Sequence, residues 1–152
     1  IVEFLSHPIL KQIENHHNFA WREKHHGRDV IVHRKGATPA GKGVVGIIPG
    51  SMATLGYIVE GLGNPVSLNS TSHGAGRRMS RKAAMKNFTW YETKEFLHKQ
   101  GVELLSAGLD EAPWAYKNIN DVMKAQRDLA KPIATFMPRL VKMAPAGERP
   151  ED

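Results

Sequence analysis

The chain has 152 residues, 41% hydrophobic and 24% charged, which is long enough for one domain with a core of its own. No apolar run approaches the roughly 18 residues of a membrane span, the opening residues lack a signal-peptide pattern, and the absence of cysteine excludes disulfides and thiolate metal ligands. Twenty-one Lys and Arg against fifteen Asp and Glu leave a net charge of +6, which points to polyanionic partners, nucleic acid first, or else to a solvated basic face.

In chain order, residues 1–14 place Phe4, Leu5, Ile9, Leu10 and Ile13 at roughly helical spacing, interrupted by Pro8. A start at Ile1 suggests a piece of a longer polypeptide. The histidine-rich stretch Asn15-His16-His17-Asn18 precedes Phe19-Ala20-Trp21. Asp29 to Arg34 is β-branched and predicts a strand. Residues 36–43 read as a turn-rich loop, and strands are predicted over Val44 to Ile48 and Tyr57 to Val59, separated by the turn Pro49-Gly50-Ser51. Residues 61–76 lack hydrophobic periodicity and read as one long loop of the kind that carries function.

A basic helix is predicted from Arg77 to Phe88, with Met79, Ala83 and Ala84 as a thin apolar stripe. A second runs from Thr93 to Gln100 and stops at Gly101. Val102 to Leu105 suits a strand. Ile119, Val122, Met123, Gln126 and Leu129 define an amphipathic helix capped by Asn118 or Asn120. Pro132 and Pro138 should break any regular element beyond that helix. The expected class is α+β, one mixed domain over residues 1–143 with a polar tail over 144–152.

Eight histidines are many for this length. His16 and His17 are adjacent, as are His25 and His26, and neighbouring side chains diverge on a helix or strand. Each pair could therefore give one ligand to Zn, Mn, Fe or Cu, or none if the rings only pack. His73 differs in its surroundings. Ser72, Gly74, Ala75 and Gly76 leave room for a large ligand, and glycines at 74 and 76 can take φ > 0 and turn N–H groups toward an anion. A helix starting near Arg77 would add its positive end, and Arg77, Arg78, Arg81 and Lys82 would add charge. A histidine so placed can act as acid, base or nucleophile toward phosphorus, although glycine-flanked histidines also occupy plain turns. Pro113-Trp114-Ala115-Tyr116 could plug the core or stack on a base.

Six collinear segments resemble the C-terminal part of the RtcB family, GTP-dependent RNA ligases. They are His17-Asn18, His33-Arg34-Lys35-Gly36-Ala37-Thr38, Ile48-Pro49-Gly50-Ser51-Met52, Ser72 to Arg77 continuing to Met79-Ser80-Arg81, Glu111-Ala112-Pro113, and Ala115-Tyr116-Lys117-Asn118. The resemblance implies an α+β fold and a reaction joining RNA 3′-phosphate or 2′,3′-cyclic phosphate ends to 5′-hydroxyl ends, in tRNA splicing or RNA repair. It makes His73 the nucleophile that carries GMP and His17 one ligand of a manganese centre. Asn18, Ser51, Gly74, Ala75, Gly76, Tyr116 and Lys142 become nucleotide contacts, Lys142 as the lysine that reads guanine. Arg77 and Arg81 become contacts to RNA or nucleotide phosphate.

The implied cofactors are Mn2+ and GTP, and the implied partners are RNA (tRNA halves or broken RNA) and a missing N-terminal region of the ligase. A cytoplasmic site fits, with no membrane. Family members run to roughly three times this size, and their N-terminal part supplies a Cys, an Asp and two further metal-ligand histidines. The chain also departs from the pattern: Ala53 stands for a usual glycine, Gly56 for a frequent serine and Trp114 for a small residue, and residues follow Lys142. The alternative is a non-catalytic module that binds RNA or nucleotide.

Overall fold

The computed structural model describes residues 8, 9 and 11–145. Phe4, Leu5 and Leu10 of the expected N-terminal helical spacing lie outside them, as do residues 146–152 of the expected tail. The described residues form nine strands in four small sheets, with three α-helices. This is the α+β architecture expected.

The first unit is an antiparallel hairpin of β1 (Asn18–His25) and β2 (Arg28–Lys35). His26 at φ 49° and Gly27 at φ 77° make its two-residue turn, the geometry that suits the twist of paired strands. Burial alternates from Ala20 onward in β1 and from Asp29 onward in β2. Trp21, Glu23, His25, Val32 and Arg34 face inward, while Arg22, Lys24, Ile31, His33 and Lys35 face out.

The inward face is held by charge. Arg34, 3% exposed, donates to both oxygens of Glu23 at 2.6 and 3.0 Å, to Ser70 Oγ at 2.8 Å and to the Leu68 carbonyl at 2.9 Å. Its guanidinium also lies 5.0 Å from the Trp21 ring centroid. The Arg34 hydrogen bond, then that of His25, holds the Glu23 carboxyl below the usual carboxylate range against the opposing effect of burial. A depressed pKa contributes stability that is present above the ordinary carboxylate pKa and lost as pH falls through the folded value. Circular dichroism during acid titration is therefore expected to show the wild-type hairpin weakening in that acid window. Glu23→Gln should remove this component of the pH dependence.

The predicted loops contain two short strands, which is a correction. β3 (Ala37–Pro39) pairs antiparallel with β6 (Ser70–Ser72). Thr38 and Thr71 face each other in this pair and are buried. Strand β4 (Val45–Ile48), β5 (Gly56–Gly61) and β8 (Ala130–Phe136) form a sheet in that order. Pro132 does not break β8, because β8 is an edge strand and Pro132 sits at a bulge opposite Val59. Gly56 faces Phe136 in this sheet, and a Cβ on Gly56 would lie 2.2 Å from the Phe136 ring. A serine at 56 would displace that ring.

The helices also differ from expectation. α1 spans Arg81–Asn87 and starts four residues later than the predicted basic helix, because Ser80 caps it through Ala83 N at 3.2 Å and Arg77 remains extended. α2 spans Trp90–Lys99 and starts earlier than predicted, set by a capping box between Thr89 and Glu92. α3 spans Ile119–Ala125 with Asn118 as its cap, so Gln126 and Leu129 lie beyond it. β7 (Glu103–Ser106) pairs in parallel with β9 (Leu140–Lys142).

Two apolar clusters hold these parts. Ile48, Val59, Ala75, Ile119, Met123 and Ala130 form one. Met52, Ala53, Leu97, Val102, Ala107 and Val141 form the other.

Candidate active site

His73 follows β6, and its position is set by backbone pairing. Its N–H donates to the Gly36 carbonyl at 3.4 Å, and the Gly36 N–H donates to the His17 carbonyl at 3.0 Å. Gly36 thus links the two histidines, whose ring centroids lie 5.0 Å apart at 45°. Asn18 Oδ1 lies 3.3 Å from His33 Nε2 at the same end of the hairpin. Below His73, Gln126 Oε1 accepts from Thr71 Oγ1 at 2.7 Å and from Ser72 N at 3.0 Å. Its spacing in the sequence assigns Gln126 to a helix stripe. Its real task is to fix the strand that leads to His73, and a polar residue at an apolar position was the available signal.

The glycine loop is laced between two walls. Ala75 N donates to the Pro49 carbonyl at 2.9 Å, and Lys117 N donates to the Gly76 carbonyl at 2.9 Å. Gly76 takes φ +70° as anticipated, whereas Gly74 is not among the positive-φ residues and instead packs close to the Pro49 carbonyl. The helix expected to begin at Arg77 is absent there. Its dipole therefore does not start at the loop, and any anion bound there would be held by loop and side chains alone.

On the far side of the Pro49-Gly50-Ser51 turn is a cleft of about 490 Å3, lined by Ser51, Thr54, Trp114, Tyr116, Lys117 and Asn118 among others. Ser51 Oγ and Thr54 Oγ1 lie 3.0 Å apart at its edge. Two residues expected to contact nucleotide, Ser51 and Tyr116, thus share one cavity. Lys142 is exposed on β9 and is not among the described residues lining it. Its neighbour Val141 nevertheless packs with Met52 and Ala53, next to Ser51.

Arg77 and Arg81 are engaged within the chain. Arg77 pairs with Tyr116 in a β-bridge, and its guanidinium lies 5.3 Å from the Tyr116 ring centroid. It donates to Glu111 Oε1 at 3.1 Å and to the Asp110 carbonyl. Arg81 donates to Asp110 Oδ2 and Glu111 Oε1, both at 2.8 Å. The Tyr116 hydroxyl donates to Glu111 Oε2. Burial, then that hydrogen bond, pushes the Tyr116 hydroxyl well above its usual range, so it stays protonated as a donor. Glu111, 9% exposed, is the hub of this network. It was visible in the sequence only as part of a motif, with no role.

No three His, Asp or Glu side chains among the described residues come together to hold a metal ion. His17 is one donor beside His73, so these residues alone do not fit a manganese centre. No helix among the described residues is long and apolar enough to cross a membrane.

The structure thus brings the imidazoles of His17 and His73 together beside the glycine loop, whose far end is tied through Lys117 to a mixed polar and apolar cleft. The chain belongs to the tRNA-splicing ligase RtcB family, which it matches over residues 4–143. It is 44% identical to an RNA-splicing ligase RtcB of Escherichia coli K12 over 84% of this chain and 31% of that relative. It is 36% identical to a tRNA-splicing ligase RtcB of Pyrococcus horikoshii over 91% of this chain and 18% of the relative. For one from Pyrobaculum aerophilum the identity is 35%, over 97% and 32%. The chain therefore spans a third or less of the length of these relatives.

Proposed function

We propose that this chain is the GMP-carrying C-terminal portion of a GTP-dependent RNA ligase. The ligase joins RNA ends bearing a 3′-phosphate or 2′,3′-cyclic phosphate to 5′-hydroxyl ends, in tRNA splicing or RNA repair. The observation that carries the reading is the convergence of His73 and His17, 5.0 Å apart, with the glycine loop running from His73 to the wall of the Ser51–Tyr116 cleft.

In this reading a ring nitrogen of His73 attacks the α-phosphorus of GTP, and the bond to the β-phosphate oxygen breaks to release pyrophosphate. A 2′,3′-cyclic end is first opened by water, which breaks the bond to the 2′-oxygen; an oxygen of the RNA 3′-phosphate then takes the guanylyl group, and the nitrogen–phosphorus bond breaks. The RNA 5′-hydroxyl finally attacks the 3′-phosphorus, loses its proton and expels GMP. Asn18, Ser51, Gly74, Ala75, Gly76, Tyr116 and Lys142 are the proposed nucleotide contacts. Arg77 and Arg81 are the proposed contacts to RNA or nucleotide phosphate, held by Glu111 at the wall that carries Tyr116. Manganese would use His17 together with ligands from an N-terminal region, and the location of the RNA substrate would make the protein cytoplasmic.

The test is intact-protein mass spectrometry after incubation with GTP and Mn2+, with the N-terminal region supplied in cis or as a separate chain. A single GMP on His73 is expected, and no ligation by the 152-residue chain alone. Absence of the adduct in the completed protein would sink the nucleophile assignment. If RNA binding is salt-sensitive and unchanged by His73→Ala while no adduct forms, the chain is instead a non-catalytic RNA-binding module.

A further inference from the structure

The outward face of the β1–β2 hairpin is a row of cations with no task in the fold. Arg22, Lys24 and Lys35 are exposed, and none takes part in an ion pair among the described residues. His33 and the 68% exposed Ile31 lie on the same face, and Asp29 is its single acid. The inward face, by contrast, pairs its charges with one another through Arg34, Glu23 and His25. This sorting of paired charge inside and unpaired positive charge outside is not required by the hairpin itself.

The row also has a direction. Its inner end is Asn18 and Lys35, opposite each other in the register, next to His17 and to the Gly36 link with His73. Its outer end is Lys24, six residues along β1, which places it about 20 Å away at strand spacing. A protein partner that buried this face would leave three cations without acceptors, which is costly unless it brought matching carboxylates. A phosphate backbone satisfies all of them, and exposed Ile31 offers apolar contact to a base or ribose.

We infer that this face is a track for single-stranded RNA whose reacting end lies at His73. The inference rests on the ligase reading for what reacts there, while the track itself is a matter of binding. Arg22 and Lys24, two positions apart on β1, contact neighbouring phosphates, and Lys35, four positions nearer the histidines, contacts one closer to the reacting end.

The test uses the 152-residue chain and a short fluorescent single-stranded RNA with a 3′-phosphate, followed by anisotropy over about 50 to 200 mM salt. The triple variant R22Q/K24Q/K35Q should bind on the order of tenfold more weakly at low salt. Its log–log salt slope should be shallower by about 2, near 0.7 per lost phosphate contact. A second triple variant of exposed lysines elsewhere, K86Q/K124Q/K131Q, should bind like wild type. All six positions are exposed, so circular dichroism should show both variants folded.

Equal losses in both triple variants, no loss in the hairpin variant, or no RNA binding by wild type would each overturn the track. So would polyglutamate competing as well as RNA, which would mark the face as a dock for an acidic protein. Failure of the ligase reading is separate, because it shows as a missing GMP adduct on His73 whatever the hairpin does.

Discussion

His73→Ala is expected to abolish the GMP adduct in the completed protein and to lower ligation by at least about 10^4-fold, since a covalent route has no substitute for its nucleophile. His17 does not take over, although its ring is the neighbour at 5.0 Å. Its backbone carbonyl is tied to Gly36, and the resemblance gives its ring to the metal rather than to the nucleotide. His17→Ala should therefore leave the nucleophile in place and raise the manganese concentration needed for the adduct. The two variants should separate by titration with metal, with excess manganese expected to rescue His17→Ala and not His73→Ala. Rescue of both, or of neither, would mean that the two imidazoles do not have distinct roles.

Glu111→Ala is expected to cost about 3 kcal/mol of stability, the low end for removing one partner from a buried ion pair. The low end applies because the Arg81 side chain is 47% exposed and water screens its share. The larger share comes from Arg77 and the Tyr116 hydroxyl, both of which lose their acceptor. Urea unfolding measures this directly. Glu111→Gln keeps the volume and one acceptor oxygen, so it should recover part of the loss. A fall in stability below about 1 kcal/mol for the alanine variant would show that the network is decorative. Because Tyr116 lines the cleft, the same variant should weaken nucleotide binding before it unfolds the chain.

How much of this was legible in the sequence depends on what holds each element. The strand over Asp29 to Arg34 was visible because it is β-branched, but its partner β1 was not. The inward positions of β1 include Glu23 and His25, and a strand whose buried face is an ion pair has no apolar alternation to detect. β8 was hidden by Pro132, which is harmless on an edge strand at a bulge. The helix predicted from Arg77 failed because Arg77 bridges Tyr116 across a long sequence separation, and helix propensity cannot anticipate that.

The site was legible in a different way. Nothing in the spacing of His17 and His73 brings them together; only the resemblance paired them, and Gly36 provides the physical link. The resemblance gave Arg77 and Arg81 to phosphate but said nothing of Glu111, whose carboxylate accepts from both. Gln126 was in view and misread, because a polar side chain on a helix stripe has the same spacing whether it ends in the core or in a strand.

The parallel pairing of β9 with β7 sets the order in which the molecule can be finished during synthesis. Val141 completes the cluster around Met52 and Ala53, yet it leaves the ribosome after almost everything else described. The residues after Ser51 are synthesised about ninety positions before the strand that covers them. A nascent or prematurely ended chain would therefore expose Met52 and Leu97 while already displaying the histidines. Such exposed apolar surface is the kind that makes incompletely folded chains prone to aggregate.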